Sequence, residues 1–141
     1  MTLTNLSSLS VSNKLGYGGP VDPSGNEIIQ VPPVGGTVTQ ITNRATGVTL
    51  SKPCGQITTH NASLAAEGTA DFVVTNTLVA ATDVVVVSIK SGSNGGGTIV
   101  SVAAVAAGSF TIRVHNGNVA AGTAETGAIV INFAIIKAVA A

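Results

Sequence analysis

Few residues in this chain could carry chemistry. They are two histidines, His60 and His115, one cysteine, Cys54, and six carboxylates, Asp22, Glu27, Glu67, Asp71, Asp83 and Glu125. Acid–base or nucleophilic catalysis needs a nucleophile, a base and a charge stabiliser within hydrogen-bond reach, and here these types are scattered singly along the sequence. His60 stands at the end of one strand-like run and His115 on the polar side of another. Both are expected to be structural or solvated, with a pH-sensitive interface as the functional alternative. Asp83, after Thr82, is expected to satisfy turn amides, because a calcium site would need further carboxylates at ligand spacing. Cys54 lies between Pro53 and Gly55 with Lys52 as its only basic neighbour, a poor setting for a thiolate. The run Gly92-Ser93-Asn94-Gly95-Gly96-Gly97 is as glycine-rich as a phosphate loop. It leads into Thr98-Ile99-Val100, a strand pattern, where a phosphate loop ends in Gly-Lys-Ser or Gly-Lys-Thr and opens a helix, so a hairpin tip is expected. No catalytic residue, metal site or cofactor is therefore expected. The enzymatic alternative, a glycan depolymerase, requires the fold to bring two of Asp71, Asp83 and Glu125 together.

The elements that would position these residues are strands. Apolar residues make up 45% of the 141-residue chain and charged residues only 9%, too few charges for a disordered chain. Val, Ile, Thr and Ala dominate the apolar runs, and β-branched side chains favour pleated over helical backbone. From Thr37 onward, short runs alternate with Gly, Asn and Asp turns: Thr37 to Ile41, Gly47 to Ser51, Gln56 to Thr59, Thr69 to Asn76, Asp83 to Lys90, Thr98 to Val105, Ser109 to Asn116 and Ala128 to Lys137. The pattern predicts an all-β fold: a single β-sandwich or jelly-roll domain over 37–141, of about eight antiparallel strands. Phe110, Ile112 and Val114 should face a core, with Thr111, Arg113 and His115 in water. Val84 to Val87 and Ile129 to Ile131 are apolar on both faces, so those strands either lie centrally or carry a subunit interface.

Residues 1–36 differ in texture. Isolated leucines sit among Ser, Thr and Asn, followed by Gly-Pro and Pro-Pro turns, with no periodic apolar face. Such a segment cannot offset its ordering entropy alone and reads as an extended N-terminal arm that docks on another surface. The net charge is zero, which leaves no electrostatic footprint for nucleic acid or an anionic membrane, and little to oppose contact between copies. The residues expected at interfaces are Leu3, Leu6, Leu9, Tyr17, Ile28, Ile29 and Val31 in the arm and Val85 and Val87 in the sandwich. No stretch is long enough to span a bilayer as a helix, and the start lacks a basic and an apolar signal region, so a cytoplasmic origin is expected.

Thr46-Gly47-Val48-Thr49-Leu50-Ser51-Lys52, Gly55-Gln56-Ile57-Thr58, Ala80-Ala81-Thr82-Asp83-Val84-Val85-Val86-Val87, Val105-Ala106-Ala107-Gly108-Ser109-Phe110 and Val130-Ile131-Asn132-Phe133-Ala134-Ile135-Ile136-Lys137 together resemble a module of tailed-phage and prophage virion proteins. The resemblance covers roughly the C-terminal three quarters of the chain and implies no catalytic residue. It implies a β-sandwich of the particle surface: a capsid decoration, or cement, protein on the outer shell, assembled in the host cytoplasm. The expected partners are the major capsid protein and further copies of itself as a homotrimer, with no nucleic acid, membrane or small-molecule substrate. A tail-fibre or head-fibre module that adsorbs to a host receptor is the alternative, although the low aromatic content, 3%, argues against a stacking or sugar-binding platform.

Overall fold

The computed structural model describes residues 35–94, 96–120 and 122–138. Leu3, Leu6, Leu9, Tyr17, Ile28, Ile29 and Val31 lie outside the described residues. Those described form eight strands and no helix: β1 (Gly36–Thr39), β2 (Val48–Thr49), β3 (Cys54–Thr58), β4 (Thr69–Thr75), β5 (Val84–Ser91), β6 (Thr98–Ala106), β7 (Ser109–Asn116) and β8 (Val130–Ile136). They make two four-stranded sheets, in the orders β1-β3-β8-β5 and β2-β4-β7-β6. The all-β sandwich is thus as the residue pattern predicts.

Two features depart from the expectation of antiparallel pairing throughout. β1 pairs with β3 and β2 pairs with β4 in parallel. A parallel pair needs a crossover of about a dozen residues or more, and the chain makes each crossover by passing through the opposite sheet. It leaves β1, runs β2 in the second sheet and returns as β3, then repeats the manoeuvre through β3 to β4. The glycine-rich run after β5 likewise joins the two sheets instead of closing a hairpin, because β5 and β6 belong to different sheets. Only β6 and β7 are consecutive and directly paired; Gly108, with φ of 80°, makes their turn.

The core lies between the inward faces. Phe72 and Val74 of β4 and Phe110, Ile112 and Val114 of β7 meet Ile57 of β3 and Ile131 and Phe133 of β8, all at most 3% exposed. Each such side chain contributes roughly 1.5–3 kcal/mol on burial. Phe110 and Phe133 bridge the two layers, with ring centroids 5.4 Å apart and a tilt of 50°. Beside Phe133, the pairing brings Gly55 of β3 and Gly36 of β1 into one row. A Cβ on Gly55 would stand 2.6 Å from the Gly36 carbonyl oxygen and 2.9–3.0 Å from Leu50 and the Phe133 ring. The two glycines therefore make the recess into which Leu50 packs, which explains why this edge of the sheet has no side chains of its own at those positions.

Register also fixes what faces outward. Val85 is buried in the core and Val87 packs partly buried against it. Their partners across the sheet, Ile135 and Phe133, point inward as well. The two valines expected at an interface are thus core residues, and it is Val84 and Val86 that face out. Of the strands that hold the doubly apolar runs, β8 is central, flanked by β3 and β5, and β5 is an edge strand.

Candidate interaction surface

Two ionisable groups, Glu125 and Arg44, are brought together in the buried interior. Glu125, in the loop before β8, is wholly inaccessible, and its backbone bridges to Leu64 in the loop before β4. Its carboxylate accepts from the Ser93 hydroxyl at 2.6 Å, the Thr98 hydroxyl at 2.5 Å, the Asn94 amide at 3.2 Å and the Gly127 amide at 2.7 Å. Burial would raise its pKa; these four donors outweigh burial and hold it at about 2. Arg44, 3% exposed, donates to the Glu125 carbonyl at 3.2 Å, the Gly127 carbonyl at 2.8 Å, the Thr59 hydroxyl at 3.2 Å and the Ala62 carbonyl. Burial lowers the Arg44 pKa, and the Glu125 charge offsets part of that effect. Gln40 continues the web, donating to the carbonyls of Arg44 and Thr46 and accepting from the His60 amide.

This web is a clasp: it ties the loops after β1, β3 and β5 and before β8 at one end of the sandwich. Glycine is required within it, because a Cβ on Gly127 would stand 1.9 Å from the Gly92 carbonyl oxygen. Buried charges that are paired and fully hydrogen-bonded are costly to disturb, and no buried side-chain nitrogen or oxygen among the described residues lacks a partner. The carboxylate is saturated by donors and serves the fold.

The remaining candidates are held separately. Asp71 on β4 and Arg113 on β7 form a two-bond ion pair on the outer face of the second sheet, at 2.7 and 2.8 Å. Arg113 lowers the Asp71 pKa through those bonds. Asp83 accepts the Ala80 amide at 2.8 Å, as a turn residue should, and Lys137 at 2.5 Å. The Ala80 amide first, and then Lys137, lower its pKa. Asp71, Asp83 and Glu125 are thus held by separate partners, Arg113, Ala80 with Lys137, and the loop donors around Ser93 and Thr98. His60 accepts the Ala62 amide at 2.9 Å and His115 lies 3.3 Å from the Thr69 hydroxyl, both local contacts. No group of three or more metal-ligating side chains occurs among the described residues.

What is left is surface. Cys54 helps line a shallow depression of about 460 Å³ with Gly35, Gly36, Thr37, Gln56 and Asn132. Across β8 from it, the outward side chains of the first sheet become apolar. Val84 pairs with Ile136 and Val86 with Ala134, and Val84, Val86 and Ile136 are 54%, 49% and 55% exposed. On the second sheet Ile99 of β6 and Val73 of β4 are similarly open, at 57% and 47%. Charge is scarce around them. Arg44, Asp83 and Glu125 are buried, Arg113 and Lys137 are in salt bridges, and Lys52, Glu67 and Lys90 are the exposed charged residues outside a salt bridge among those described.

Sequence reasoning missed the clasp and misplaced the outward valines. A signal for the second existed: Ser88 and Lys90 share the parity of Val84 and Val86, and a lysine near a strand end marks the wet face. Comparison with protein-family models, with curated proteins and with solved structures gave no match.

Proposed function

We propose that this chain is a structural protein of a tailed-phage particle, a decoration protein that coats and stabilises the outer shell of the capsid. The observation that carries the reading is the distribution of polarity. The ionic groups are largely buried or paired, and the outer faces of the two sheets carry open Val and Ile side chains with little charge besides the Asp71–Arg113 pair and Lys90. A domain with so little exposed charge is kept in solution poorly by itself and is suited to being covered. The resemblance of its strand sequences to virion modules points the same way.

The mechanism is burial. Each ~1,000 Å² of apolar surface covered contributes on the order of 25 kcal/mol gross, which the entropy of association reduces. Spread over a shell, many such contacts oppose outward pressure from packaged DNA. The major capsid protein is the partner, and residues 1–34 supply apolar side chains to reach across it or a neighbouring subunit.

Imaging of particles with and without this protein tests the reading. Extra density over the whole shell is expected; density confined to vertices or tail would replace it with the fibre reading, and absence from the particle would refute both. Removing residues 1–34, which leaves β1 intact, is expected to abolish shell binding.

A further inference from the structure

The four edge strands of the sandwich are managed unequally. On one side the edges are β1 and β2, of 4 and 2 residues, too short to template another strand. On the other side the edges are β5 and β6, of 8 and 9 residues, which lie alongside one another where the two sheets meet. Long edges are ordinarily blunted with Lys, Pro, bulges, inward charges or a covering segment. β5 has one charge, Lys90, near its end, β6 has none, and neither contains proline. Each has a bulge, at Ile89/Ser91 and Val102/Ala104. The first leaves Val84 to Ser88 in regular register with β8. Among the described residues no strand pairs with the free edge of either.

We infer that the β5–β6 side is where copies of this chain meet, with β5 as the pairing edge and Val84, Val86 and Ile136 closing over the neighbour. The occupant is another copy because the side is self-complementary. Lys90 is the one charge on the two strands, and of their outward side chains Val84, Val86 and Ile99 are 54%, 49% and 57% exposed, beside Ser88 and Ser101. The size of this side is sufficient. Strands of this length run about 28 Å, and two sheets about 10 Å apart with side chains on both outer faces present a strip roughly 20 Å wide, on the order of 550 Å² per copy, just above the ~500 Å² per partner that a specific interface needs. The inference deepens the decoration reading by locating the subunit contact, yet it stands on the edges alone.

The test is the mass of the full chain in solution, by sedimentation and light scattering without particles. The native chain is expected to be oligomeric. Val84→Lys with Val86→Lys, both outward-facing, should weaken association ~100-fold or more by placing like charges together. Ile41→Lys, at an 86%-exposed position after β1, should leave it unchanged. If the double lysine chain loses its fold by circular dichroism, Val84→Thr with Val86→Thr keeps the β-branched backbone preference and should still weaken association ~10-fold. A monomeric native chain, or an oligomer indifferent to the valine variants, overturns the inference. A monomer that still coats particles overturns it alone, whereas an oligomer that never binds particles overturns the decoration reading alone.

Discussion

β5 begins and ends in opposite surroundings. At its start, Val84 and Val86 stand open to solvent beside Ile136 and Ala134; just past its end, Ser93 and Asn94 turn inward to a carboxylate that water does not reach. The usual arrangement puts ions outside and hydrocarbon inside, and here a single strand joins a hydrocarbon exterior to an ionic interior. The contrast separates two tasks. Loops that have no periodic apolar face are fixed by directional bonds to Glu125 and Arg44, while the sheet faces carry few charges, the paired Asp71 and Arg113 on one and Lys90 on the other.

Four measurements would break or sharpen that contrast. Arg44→Ala strips donors from the Thr59 hydroxyl and from the carbonyls of Ala62, Glu125 and Gly127, and leaves the carboxylate buried without its counter-charge. It should cost about 3–5 kcal/mol, seen as a lower urea midpoint at unchanged slope. Acid loosens the same clasp less abruptly. The folded pKa of Glu125, about 2, lies below the unfolded value of about 4.3, so its contribution is complete above the unfolded value and is lost as pH falls toward the folded one. Urea midpoints should decline between about pH 4.5 and pH 2, and Glu125→Gln should remove that part of the decline. Beneath the open face, Gly55→Ala pushes a methyl against the Gly36 carbonyl, Leu50 and Phe133 and should cost about 1–3 kcal/mol by overpacking. Smallest is Asp71→Ala on the outer face: an exposed ion pair contributes less than about 1 kcal/mol, and salt should erase the difference. A loss at Asp71 as large as that at Arg44 would collapse the distinction between interior and exterior ions.

The eight strands were legible because glycine and asparagine turns bracket each β-branched run, and Ser109–Asn116 coincides with its strand to the residue. β2 shrank from the expected Gly47 to Ser51 to Val48–Thr49, since only those two residues pair with β4. Parallel pairing was not legible, because a run of alternating residues carries no sign of direction. Four consecutive valines carry no phase of their own, which is how Val85 and Val87 were assigned to the wrong face. The clasp was out of reach: Arg44 and Glu125 are 81 residues apart, both lie in loops, and nothing local to either marks a partner. The residues expected at interfaces between Leu3 and Val31 lie outside the described residues.

The position of β8 has a consequence for how the chain comes to be folded. Among the described residues it is the last strand in sequence, and it lies inside its sheet, holding β3 on one side and β5 on the other. During synthesis the β6–β7 hairpin can form as soon as it emerges, and β4 can join it, but β3 and β5 have no common neighbour until residues 130–136 leave the ribosome. That layer of the sandwich is therefore complete only once residues 130–136 have been made. A polypeptide cut short before Val130 would present unpaired strands to the chaperones and proteases of the cell.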